Sequence, residues 1–395
     1  MSVFNRLSLG LGLLLTLGLA SCSKDDVVTP SAPGLRPKMD YATLTATSPY
    51  TTSFKDAAGV ATVDLGAAAT RLDMFSEFNT YMATVASATA PAVLDVARLR
   101  NFYAGENSPF DAAALNTAAV AGVRLRDKTA ASFTDANATV VRGFIDTKLA
   151  ELATASQVRL QAAAPGRAGH HYPVGSGIPG RYLVDGRGIE VNQVIQKGLI
   201  GALLLDQIGN VLLSPAALAA DNGKVVAGKV YSEREHNWDL AYGYLTSNAL
   251  MTTDIALMPR ERFLAGYLNE KNGPASPGVY MAFLKGRAAI INNDEATLKT
   301  QADFIRTELE KTIAKSAVSY LELWKSNATM DAKAHALAEG LGFIYSLRFC
   351  TKHNADAAWA DSVLNGLISG ADGVWDMNTT KANIAVTAIN TKFSL

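Results

Sequence analysis

EREHNWDLAYGYL, Glu233 to Leu245, lies in the middle of a 395-residue chain and carries its densest chemistry. Placed on a helix at about 100° per residue, Glu233, His236 and Asp239 fall on one stripe. Gly243 continues that stripe below His236 and leaves an open patch. Trp238, Ala241 and Leu245 point the opposite way, as a core-facing set does. One imidazole and two carboxylates therefore stand a turn apart on a helix backed by aromatics.

The same period runs outward in both directions. Leu72, Phe75, Phe78, Met82 and Val85 predict a helix over 64–88, which Pro91 breaks. A shorter helix follows through Val93, Val96, Leu99 and Phe102. Ser108-Pro109 with Asp111 signals a start for a helix over 112–126. Val141, Ile145, Leu149, Leu152 and Val158 mark the buried side of a long helix over 135–163. Further helices are predicted over 189–208, 215–221, 260–267, 278–291, 296–325, 332–351 and 355–368, with Asp294 as an N-cap. Gly198 and Gly201 allow another helix to come close. Beyond Gly373 the period is weak. Alanine and leucine dominate and no run reads as a strand, so the predicted class is all-α, built of helical bundles.

The segment 166–190, GRAGHHYPVGSGIPGRYLVDGRGIE, is too rich in glycine and proline for regular helix. It reads as a joint between an N-terminal bundle, 41–165, and a C-terminal part, 166–395. Its adjacent His170 and His171 read as exposed.

At the N-terminus, Asn5-Arg6 precedes an apolar run from Leu7 to Leu19 that is too short to span a bilayer. Leu19-Ala20-Ser21-Cys22 then looks like a bacterial lipobox. The reading is a signal peptide over 1–21, lipidation at Cys22 and a flexible linker over 22–40. Lipidation would attach the protein to the outer membrane, at its periplasmic face or at the cell surface. Ser23-Lys24-Asp25-Asp26 resembles the short Lys/Asp export signal of surface lipoproteins, or is a plain solvated linker.

Lys plus Arg equals Asp plus Glu at 36 each, so no net field points to nucleic acid. Two cysteines, Cys22 and Cys350, cannot form a disulfide framework. H-E-x-x-H and G-x-S-x-G are absent, and no Gly-Lys-Ser/Thr follows the glycine-rich segment. Cys350 lies in an apolar helical context and reads as a packed thiol. The expectation is a protein without catalytic residues.

A metal site at Glu233, His236 and Asp239 is chemically sensible for iron, zinc or copper. One helix supplies at most three ligands, so others must come from elsewhere. His335 and Glu339 stand at i and i+4 on another predicted helix, and Glu190 with Gln193 on a third; bundles do build metal sites from such facing pairs. The same residues equally describe a buried polar network that fixes helix register.

Five ordered segments carry a family resemblance: LRNFYAGENSPF (99–110), KGLIGALLLDQI (197–208), EHNWDLAYGYL (235–245), FLKGRAAIINND (283–294) and EGLGFIYSL (339–347). Together they resemble the lipoproteins grouped as domain of unknown function 4856, which are similar to imelysin-like proteins. The resemblance runs from about residue 40 to the C-terminus. It implies two four-helix-bundle halves and a role in bacterial iron acquisition, with a G-x-H-x-x-E hallmark. Here the matching stretch is Arg234-Glu235-His236-Asn237-Trp238-Asp239, with Arg for the glycine and Asp for the acid. Leu240 stands where an acid is usual. The implied function is non-enzymatic binding of a metal ion or metal complex, iron first, at the envelope. The alternative is an interaction lipoprotein that partners an outer-membrane transport protein.

Overall fold

The computed structural model describes residues 35–87, 90–171, 182–252 and 261–395. The expected signal peptide, Cys22 and residues 172–181 of the glycine-rich segment lie outside the described residues. In chain order the α-helices are α1 (Tyr50–Ser53), α2 (Gly66–Ala83), α3 (Val96–Ala104), α4 (Ala113–Val120), α5 (Leu125–Lys128), α6 (Asp135–Gln157), α7 (Val191–Leu199), α8 (Pro215–Leu218), α9 (Glu233–Leu245), α10 (Phe263–Asn272), α11 (Ser276–Asn292), α12 (Glu295–Ser326), α13 (Met330–Ser346), α14 (Ala357–Ile368) and α15 (Thr379–Phe393). The strands described are one antiparallel pair, β1 (Gly169–His170) and β2 (Leu183–Val184). The fold is an all-α helical bundle, as the periodicity predicts.

α12 organises one side. Leu298, Ala302, Ile305, Leu309, Ile313, Ala317, Tyr320 and Trp324 are buried at intervals of three or four, a continuous stripe along the helix. Asp294 caps its start, accepting from Thr297 N at 3.0 Å, as predicted. α10, α11, α13 and α15 pack around it. α7 lies between α6 and α13, and α9 packs on α2 and α11.

Several boundaries differ from the sequence reading. The helix predicted over 135–163 stops at Gln157, and that over 112–126 is interrupted after Val120. The predicted helix over 189–208 is α-helical only to Leu199 and continues as a wider π-helix, Ile200–Leu212. Ser346 on α13 donates from Oγ to Lys197 O (2.7 Å) near this change of pitch. Gly201 makes the approach possible, because a Cβ there would sit 2.3 Å from the Ser346 side chain. The C-terminal helix α15 has no counterpart in the reading. Its buried face is Ala382, Ala385, Ile389 and Phe393, and two alanines at its start carry little hydropathy signal.

Candidate functional site

Two polar centres hold the residues singled out from the sequence. The first is built on α9. Its start is a capping box: Ser232 Oγ accepts from Glu235 N at 3.1 Å, and Glu235 Oε2 accepts from Ser232 N at 2.8 Å. That fixes the Glu235 carboxylate at the helix entrance. Glu235 and Asp239, one turn apart, both meet Arg287 of α11. Arg287 donates from Nη1 to Glu235 Oε1 (2.7 Å), from Nε to Asp239 Oδ1 (2.9 Å) and from Nη2 to Thr62 Oγ1 (3.2 Å). Arg36, far away in sequence, grips Glu235 from the other side, Nε to Oε1 at 2.6 Å and Nη2 to Oε2 at 2.8 Å. Tyr50 OH donates to Asp239 Oδ1 at 2.8 Å. Two cations face two carboxylates in the core, and all four side chains are buried.

Burial is the largest influence on Asp239 and outweighs the attraction of Arg287, pushing its carboxyl up to about 6. Its second oxygen, Oδ2, has no hydrogen-bond partner among the described residues, which suits a carboxyl inclined to hold its proton. For Glu235, burial acts upward too, but Arg36 and Arg287 together hold it below the usual value.

The predicted stripe of Glu233, His236 and Asp239 is therefore divided. Glu233 is exposed, His236 is half-buried and Asp239 is turned into the ion-pair network. The His236 ring stacks on Tyr231 at 4.3 Å, and its Nδ1 has no hydrogen-bond partner among the described residues. Burial draws its imidazole below the ordinary value. The structure does not gather these three as ligands. The residues that reading the stripe missed are Glu235, Arg287 and Arg36. Arg287 was signalled by its place: it and Lys285 are the two cations inside the apolar run of the predicted helix over 278–291.

The second centre joins α7 and α13, and here the predicted facing pairs do meet. His335 Nδ1 lies 2.6 Å from Glu190 Oε2, and Nε2 lies 3.6 Å from Glu339 Oε2. Lys197 Nζ pairs with Glu339 Oε1 at 2.8 Å and donates to Gln193 Oε1 at 2.7 Å. Tyr182 stacks on the His335 ring at 4.3 Å, and Tyr267 OH reaches Glu339 at 3.4 Å. Burial pulls the His335 imidazole down, but the hydrogen bond and charge of Glu190, aided by Glu339, leave it raised.

This donor set does not fit a metal ion as it stands. The Lys197 ammonium already holds the cation's place beside Glu339, and Nδ1 of His335 is engaged by Glu190. Among the described residues no group of three or more His, Cys, Asp and Glu side chains is arranged to hold a metal.

Three smaller outcomes complete the picture. His170, read as exposed, is fully buried, because its ring bridges the carbonyls of Arg159 and Val85. His171 is half-buried beside Trp375. Cys350 is fully buried, with burial pushing its thiol well above the usual value, and neighbouring His353 faces Glu310 at 2.7 Å.

A family model described as a domain of unknown function (DUF4856) matches residues 49–395. No curated protein and no solved structure matches the chain. The matched span runs from α1 to the last residue and takes in both polar centres apart from Arg36, and the chain therefore belongs to the DUF4856 family.

Proposed function

We propose that this chain is a non-enzymatic, lipid-anchored interaction protein of the cell envelope, held at the outer membrane through Cys22 and partnering a transport protein there. The observation that carries the reading is the double hydrogen bond from Arg36 to Glu235, buried in the core. Arg36 lies within the stretch expected as a linker, 22–40. Its neighbour Met39 is also fastened, its N and O both bonded to the Asn292 amide at 2.8 and 2.9 Å. A pull along the linker thus meets a buried ion pair rather than a frayed terminus. The stretch between Cys22 and Arg36 reaches at most about 50 Å when extended, enough to stand the helical body off a bilayer. Among the described residues no helix is long and apolar enough to cross a membrane; in this proposal attachment is assigned to the lipid on Cys22. On this reading α9 is a clamp, and its His236 stripe is scaffold.

The test is metabolic labelling with a radioactive fatty acid, followed by fractionation. Label in the wild-type membrane fraction, lost together with membrane attachment in Cys22→Ser, supports the anchor. An unlabelled wild type contradicts it.

Metal acquisition, iron first, is the second reading, and one observation favours it: Glu190, His335 and Glu339 converge. For an ion to enter, Lys197 must leave Glu339. Metal retained by the wild type and lost in His335→Ala would support this reading over the first.

A further inference from the structure

A cavity of about 540 Å³ opens where α6, α13 and α14 meet the entrance to α7. None of its wall residues belongs to either polar centre. We propose that it binds a small amphipathic anion, a monocarboxylate with a medium-length hydrocarbon body.

The walls set the chemistry. Phe144, Ile189, Val194, Leu341, Leu364 and Ile368 make them mostly apolar, which asks for a hydrocarbon body. The volume lies within the range usual for small-molecule sites. Two cations, Lys148 and Arg187, line the same space. Arg187 is held by neutral partners: Nη2 donates to the carbonyls of Ile368 and Gly370, and among the described residues no carboxylate forms an ion pair with it. Its charge is therefore uncompensated at an apolar wall, where a carboxylate of the ligand would be worth most. Lys148 is paired at 2.6 Å with Glu151, a more exposed side chain that an incoming anion can replace.

The one carboxylate in the lining does not cancel this balance. Asp361 is bound by Arg348 at 2.6 Å. Tyr345 adds a further group: its ring stacks on Phe144 at 4.0 Å, and its buried hydroxyl has no hydrogen-bond partner among the described residues. A purely apolar guest would leave the Arg187 charge unanswered. A phosphate or another small polar anion would leave the apolar walls unfilled. A chain that ends in one carboxylate matches both.

The probe is sodium decanoate, titrated calorimetrically below its micelle concentration into the full chain carrying Cys22→Ser. Decyltrimethylammonium serves as the cationic counterpart. The expected result is one saturable decanoate site and no saturable site for the cation. Arg187→Met should weaken decanoate at least tenfold. Leu364→Trp, which fills the cavity without touching a charge, should abolish binding while the protein remains folded by circular dichroism. The proposal is overturned by the absence of a saturable decanoate site, by equal binding of the cationic chain, or by undiminished binding in folded Leu364→Trp.

Discussion

Arg287 donates from Nε to Asp239 Oδ1 at 2.9 Å, and neither side chain has exposed surface. The bond joins α11 to α9 and lies beside the grip of Arg36 on Glu235. Removing one partner of a buried pair leaves an uncompensated charge, which costs about 3–5 kcal/mol. Arg287→Met should lower unfolding free energy in urea by about that much. Arg287→Met combined with Asp239→Leu should recover much of the loss, because Arg36 and Glu235 remain a matched pair. A double variant no more stable than the single would show that the network is not organised around this bond.

The pH dependence has a defined sign at each centre. The folded-state pKa of His335 is raised above 6.5, so its contribution to stability is complete below that value. It is lost as pH climbs through the raised folded value. Compared with His335→Gln, the wild type should show its largest margin near pH 6 and a smaller one by pH 8. Denaturant melts of both proteins across that range provide the check.

Asp239 shows the same sign in a lower window. Its folded value of about 6 exceeds the ordinary 3.8, so the stability linked to its proton is present below 3.8 and lost as pH rises to 6. Across that window the wild type should lose stability relative to Asp239→Asn. Parallel curves for the two proteins would mean that the carboxyl stays ionised.

Gly286 is the point where α11 meets Trp238. A Cβ there would stand 2.0 Å from Trp238 Cζ2, and the indole is fixed by its bond from Nε1 to Phe283 O at 2.9 Å. Gly286→Ala should therefore destabilise by about 1–3 kcal/mol through overpacking, despite the better helix propensity of alanine. Thermal melts and a shift in tryptophan emission report the outcome, and a variant more stable than wild type would refute the packing claimed for Trp238.

Cys350 should resist a thiol reagent in the native Cys22→Ser chain and react fully in denaturant. Complete burial and the nearby Glu310 both disfavour its thiolate. Rapid native labelling would place the thiol in an accessible site.

The sequence made the helices readable wherever large apolar residues mark the turn, as from Leu298 to Trp324 along α12, and wherever a cap stands at the start, as at Asp294. It singled out Glu190 and His335 as polar residues on two predicted helices, but their contact depends on loop geometry that spacing does not report. α15 escaped because alanines bury well yet mark the period poorly. The α9 network escaped for a different reason. Helical spacing shows which residues share a face, but the partner of Glu235 is Arg36, 199 positions away, and no local period reports that distance. The stripe thus drew attention to His236, while the neighbouring face of the same helix, carrying Glu235 and Asp239, meets the arginines.

The most direct test of α9 as a clamp is metal content. The Cys22→Ser chain and its His236→Ala variant would be exposed in turn to iron, copper and zinc, desalted and analysed by mass spectrometry. A clamp predicts the same low, sub-stoichiometric metal in both proteins, with the variant still folded. Near-stoichiometric metal in the wild type that disappears in a folded His236→Ala would contradict it and make the His236 stripe a ligand site.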